Sequence, residues 1–191
     1  MTSRALRRSL VVVAIAFLPA TGGADTYDVD AVHSAVMFRA KRMGVVYVYG
    51  RFNEFAGTID LTGDDVSAGK LTLEVKTTSV DTGNQRRDDH LRSPDFLNAA
   101  QLPVMKFEST GVRAVGGAFE VSGNLTLHGV TKPVTATVEK VGSGKDPSAG
   151  KALVGFEGKF TLKRSEFDIK YMVGPVSDEI DIHIALQAVA R

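Results

Sequence analysis

The stretch EIDIHIALQA, residues 179–188, alternates without a break. Ile180, Ile182, Ile184 and Leu186 fall on one side of an extended chain, and Asp181, His183 and Gln187 on the other. Side chains on a β-strand change face at every residue, so this pattern specifies a strand with one dry and one wet face. The same period recurs along the chain. LTLEVKT sets Leu71, Leu73 and Val75 against Thr72, Glu74 and Lys76, and FEVSGNLTL puts Phe119, Val121, Leu125 and Leu127 together. VTATV sets Val134, Ala136 and Val138 against two threonines, and less regular runs lie at SAVMFRA, GTIDL, VMKFEST and ALVGFEGKFTL. Alternation this dense dictates half-buried antiparallel strands.

Between the runs lies turn chemistry. TGDDVSAGK (62–70) and VGSGKDPSAGK (141–151) read as hairpin loops, and HGVTKP (128–133) as a tighter turn. One stretch breaks the period. TGNQRRDDHLRSPDF carries charges at helical spacing, with Asp88–Arg92 at i, i+4 and Arg86–Asp89 at i, i+3. Ser93 suits an N-cap and Pro94 the first helical position, so the spacing predicts a short helical insertion near residues 84–100. The chain is therefore all-β with about eight sequential antiparallel strands, which close either as a sandwich or as an up-and-down barrel.

Charge and composition narrow the function. The 191 residues suit one domain, and no repeat or linker divides them. Formal net charge is +1, but three of the 23 basic residues, Arg4, Arg7 and Arg8, lie in the first two dozen positions, where no acid occurs. The remainder carries 20 basic against 22 acidic residues, which leaves no basic field for nucleic acid and no polybasic membrane patch. The first segment reads as a cleavable signal peptide: a positive start, the apolar run LVVVAIAFL, Pro19, then TGGA. The apolar run is too short to span a bilayer. Cleavage is expected after Ala24, with the domain over 25–191. Cysteine is absent, so thiol catalysis, thiolate metal sites and disulfides are excluded.

Candidate chemistry centres on four histidines. No pair among His33, His90, His128 and His183 has the i, i+4 spacing of a metalloprotease helix. A metal set of His90, Asp88 and Asp89 is disfavoured because adjacent helical residues diverge. His33 and Ser34 are neighbours on a strand and point to opposite faces, so they do not pair as base and nucleophile. The sequence has no nucleophile elbow, P-loop or dinucleotide fingerprint.

Several blocks in order resemble the YceI-like family: DAVHSAVMFRAKRMG (30–44), GRFNEFAGTIDL (50–61), SVDTGNQRRDDHLRSPDFLNAAQLPVMKFEST (79–110), VSGNLTLHGVTKPV (121–134) and RSEF (164–167). The resemblance covers essentially the whole chain after the leader. It implies a lipocalin-like antiparallel barrel, exported to the bacterial periplasm. Such a barrel holds a long-chain isoprenoid or related fatty amphiphile in an apolar cavity, without cofactor, metal or stable membrane insertion, and often works as a homodimer. Two positions depart from the family's pattern. Arg42 stands where members commonly carry His, and Asp168 where Gly usually follows RSEF. Arg42 becomes a candidate head-group contact near a barrel end, and the head-group preference of other members does not carry over.

With that fold, Phe38, Phe52, Phe107, Phe119, Phe156 and Phe160 are the expected cavity lining, with Phe96 turning inward from the insertion. Each buried methylene of a ligand contributes about 0.8 kcal/mol, so an alkyl tail binds without any head-group contact. The expectation is a binding protein rather than an enzyme. Two rivals remain: an enzyme acting on a lipid-like substrate through His33 or His90, and an interaction module with a filled core.

Overall fold

A computed structural model describes residues 25–63 and 65–191. The expected leader and its cleavage point lie outside the described residues. Eleven strands among the described residues form one antiparallel sheet. The first half of the chain supplies β1 (Asp25–Val29), β2 (Ala35–Arg42), β3 (Val46–Phe52), β4 (Phe55–Thr62), β5 (Asp65–Lys76) and β6 (Val80–Asp81). After the helix α1 (Gln85–Arg92) come β7 (Val104–Val115), β8 (Ala118–Leu127), β9 (Val130–Lys145), β10 (Ala152–Lys163) and β11 (Val176–Ala190).

Eight of these strands close a ring. The order is β1-β4-β5-β7-β8-β9-β10-β11, and β11 returns to β1 through Tyr27↔Ala190 and Val29↔Ala188. Ring neighbours follow one another in sequence, so this is the up-and-down barrel rather than the sandwich. The remaining strands extend the same staves. β11 pairs with β1 near its end and with β2 over Val176–Ala185, so β1 and β2 are two halves of one bent stave. β3 and β4 are likewise two halves of the next, pairing with β2 and β1 respectively.

The first bend is built by side chains. Asp30 accepts from the Val32 N–H at 3.0 Å, starting a 3-10 turn over Ala31–His33, while its own N–H donates to the Gln187 carbonyl. Closing an eight-stranded ring requires tilted, strongly coiled staves, and such bends let a stave turn a corner without losing its partners.

The two expected long hairpin loops are shorter than the sequence implied. β5 begins at Asp65 and β9 runs to Lys145, so much of each stretch pairs as strand. Asp146 makes the second turn by accepting from the N–H groups of Ser148 and Ala149.

The insertion also differs from its local signals. Its N-cap is Asn84, whose side chain accepts from the Arg87 N–H at 3.0 Å; Ser93 is the C-cap, and turns rather than helix follow Pro94. Asp88 does not pair with Arg92. It is buried and accepts from the Thr82 N–H and hydroxyl, so a contact with the preceding loop outcompetes the surface pair. Arg92 instead meets Asp89 at 3.0 Å and ties the helix to the barrel through the carbonyls of Thr78 and Val80.

Side-chain direction follows the alternation. Ile180, Ile182, Ile184 and Leu186 all point inward. Outside, Asp181 accepts from Arg39 at 2.8 Å and from Thr161 at 2.7 Å, and His183 is exposed. Only Leu186 of the four inward residues is fully buried. The others face open space inside the barrel.

Candidate functional site

That space is an apolar cavity of about 230 Å³. It exceeds the roughly 150 Å³ apolar voids that stay dry and take up benzene, and it lies just under the usual range for small-molecule pockets. Its wall draws side chains from both halves of the chain, including Val36 and Phe52, Leu73 and Val75, Leu125 and Leu127, and the inward residues of β11.

Two inward rings find room over glycines. Phe38 lies across β3 at Gly50, its register partner, and Phe107 lies beside Gly123 on β8. A Cβ at Gly50 would collide with the Phe38 ring, and one at Gly123 would meet the Glu108 carbonyl oxygen at 2.6 Å. Glycine is therefore needed at both places to let a strand and a ring approach.

The cavity's two ends are closed differently. Near the end of β11, Ile59, Leu61, Val66, Val154, Phe156 and Ala188 pack together as dense core. Near its start, the insertion forms a plug: Leu91, Phe96 and Leu97 all reach the cavity wall. The same end carries a 3-10 turn over Arg164–Phe167, and Ile169 beyond it also lines the cavity.

Arg164 is the unusual member of the wall. Its residue is only 4% exposed. Nε donates to the Ser177 carbonyl at 3.0 Å, Nη1 to those of Ile169 and Tyr171 at 3.1 and 2.7 Å, and Nη2 to that of Val176 at 3.2 Å. Burial pushes its pKa down, and the Asp178 charge opposes that shift. The cation is thus solvated by backbone dipoles, and it folds the segment 169–177 over the barrel end. Phe96 lies beneath it, 5.8 Å from guanidinium carbon to ring centroid. Parity could have found it: Phe156, Phe160, Leu162 and Arg164 share one face of the same run.

Of the expected site residues, Phe38, Phe52, Phe96, Phe107, Phe156 and Phe160 stand on the cavity wall. Phe119 is not among the lining side chains; it packs against the dense cluster around Ile59 and Val154. Arg42 is exposed at the end of β2 and is not among the lining side chains.

No histidine lines the cavity. His33 is exposed and meets Asp30 at 2.6 Å, and Ser34 turns instead to the Gln187 carbonyl. His90 lies outside the plug, 3.0 Å from Asp95, with its ring edge-on to Phe96 and Tyr171. His128 donates from Nδ1 to the Phe167 carbonyl, leaving Nε2 buried without a partner. Among the described residues, no group of three or more His, Asp or Glu side chains is placed to hold a metal ion.

A closed antiparallel meander around an apolar cavity, plugged by a short helix at one end, defines a lipocalin-like barrel. Comparison with known proteins places the chain more closely. The YceI-like domain model matches residues 27–188, and the chain belongs to that family. It is 40% identical to Protein YceI of Escherichia coli O157:H7, across 97% of this chain and 100% of that protein. The crystal structure of Burkholderia cenocepacia BcnA superposes with a TM-score of 0.75 at 24% identity, covering 83% of this chain and 98% of that one. A polyisoprenoid binding domain from Saccharophagus degradans, implicated in plant cell wall breakdown, superposes with a TM-score of 0.65 at 20% identity, covering 86% and 98%.

Proposed function

We propose that this protein is an exported binding and carrier protein for a polyisoprenoid or similar long-chain amphiphile, held with its tail in the barrel. The observation that carries this reading is the cavity wall: apolar side chains from strands around the ring and from the plug enclose one space, and Arg164 offers one buried cation at its plugged end. Four of the five guanidinium N–H donors are engaged by backbone carbonyls, which leaves one for a polar head. The description of the Saccharophagus relative as polyisoprenoid binding points the same way. An acid–base enzyme is the weaker reading, because neither His33 nor His90 reaches the cavity.

Mass spectrometry of an organic extract of the purified protein should return an isoprenoid or fatty amphiphile in near-stoichiometric amount. An extract free of lipid, together with no thermal shift on adding a polyprenol, would overturn the carrier reading. Export has its own check: the protein recovered from the periplasm should begin at Asp25, and a sequence starting at Met1 or Thr2 would refute processing at Ala24.

The plug separates carrier from enzyme. Phe96→Ala is expected to cost about 2–3 kcal/mol, below the figure for a fully buried phenylalanine because Phe96 is half-exposed, and to reduce co-purified lipid. His90→Ala removes an exposed pair with Asp95 and should leave lipid content near wild type. The reverse ranking in lipid per protein would count against the plug.

A further inference from the structure

We propose that the tip of the β2–β3 hairpin, with the neighbouring turn 170–175, is a docking surface for a membrane of anionic lipids. Single exposed apolar residues are ordinary, but two separate segments converge here. Met43, Val45 and Val46 are 60%, 84% and 52% exposed at the hairpin tip, and Tyr171, Met172 and Val173 are each more than two-fifths exposed on the turn. The two segments are fastened together. The Met43 N–H donates to the Pro175 carbonyl at 2.7 Å, and Arg42 pairs with Val176. Both methionines hold left-handed backbone, with φ of 52° and 53°, a conformation that side chains of this kind seldom adopt.

Charge decides what the surface fits. Lys41 and Arg42 adjoin the tip, both exposed and without a carboxylate partner among the described residues. Of the nearby carboxylates, Asp168 pairs with Lys170 at 2.6 Å and Asp181 with Arg39 at 2.8 Å, Asp178 accepts from the Ser165 hydroxyl at 2.7 Å, and Glu179 is exposed farther along β11. The corner therefore presents unpaired cations beside a protruding apolar tip. A second copy of the chain would bring the same cations and be repelled, whereas lipid phosphates neutralise them. A convex tip also offers little area to a protein partner, but it can sink valine and methionine among acyl chains, with Tyr47 and Tyr171 at head-group depth.

The docking corner sits over the plugged end of the cavity. Tyr171 meets Phe96 edge-on at 5.4 Å, and Ile169, two residues earlier, is part of the cavity wall. A bilayer held there faces the plugged end of the barrel. The surface does not depend on what fills the barrel, so protein emptied by solvent extraction docks equally, and a failure here leaves the carrier reading untouched.

The test is flotation of the mature protein with phosphatidylethanolamine–phosphatidylglycerol vesicles, compared with phosphatidylcholine vesicles. Wild type should float with the anionic vesicles and be released by high salt. Val45→Asp should weaken partitioning about tenfold or more, and Arg42→Glu about fivefold. Val32→Asp is the control: Val32 is 86% exposed in the bend that Gln187 holds, toward the far end of β11, and its change should leave flotation as in wild type. Wild-type protein that stays unbound overturns the proposal. So does Val45→Asp protein that floats normally, or one that changes only from dimer to monomer in sedimentation equilibrium.

Discussion

Ile182→Asp should lower stability by about 3 kcal/mol or more and empty the barrel of lipid. Ile182 stands mid-strand on the cavity wall, with Phe160 and Phe38 as its partners on either side. A carboxylate there has phenylalanine rings as its cross-strand neighbours on both sides. It either stays charged in an apolar space or takes up a proton, and both cost free energy that the native isoleucine does not. The adjacent change His183→Gln replaces an exposed side chain and should stay within about 0.5 kcal/mol. Thermal melts of the two variants, with lipid per protein from each preparation, check the pair. Equal shifts would mean that the strand does not separate a dry face from a wet one.

The second large effect is expected at Arg164. Its side chain collects four carbonyls from one segment, so Arg164→Met keeps the apolar stem but strands those oxygens beneath the turn. Breaking a buried charged network of this kind costs about 3–5 kcal/mol. Arg164→Lys should recover little, because a compact ammonium lacks the planar fork that reaches several acceptors at once. Hydrogen exchange gives the discriminating readout. Amides of residues 169–177 should lose protection in Arg164→Met at temperatures where those of β8 keep theirs. Unchanged exchange in that segment, with wild-type melting, would show that the turn holds itself.

Much of the fold is legible in the residues because strand parity is a local property. The inward set on β11, the ring-bearing face of β10 and the outward Asp181 all follow from counting by twos. What parity cannot give is position along the barrel axis. Phe119 and Phe156 both fall on inward faces and both join the dense cluster, yet only Phe156 also borders the cavity. The stagger between staves decides this, and stagger is a property of the closed ring. The insertion misled for a related reason. Ser93-Pro94 is a good local helix start, but Asn84 caps the helix first, and Asp88 is drawn inward by Thr82. Arg164 was readable by parity, yet a cation at a strand end also reads as the start of a turn, and here it is both a wall residue and a turn clamp.

The pairing of β1 with β11 has a consequence for the order of events. Val29 faces Ala188 across almost the whole chain, and Ala188 is completely buried. A ribosome releases the first stave long before the last one exists. Until then β1 has only β4 as a neighbour, and the ring is an open, curling sheet with an apolar inner surface. Pairings of such long sequence separation form late and slowly. A chain of this design remains unfinished, and therefore threadable, through most of its synthesis, and it becomes a sealed vessel only when its last fifteen-residue strand arrives.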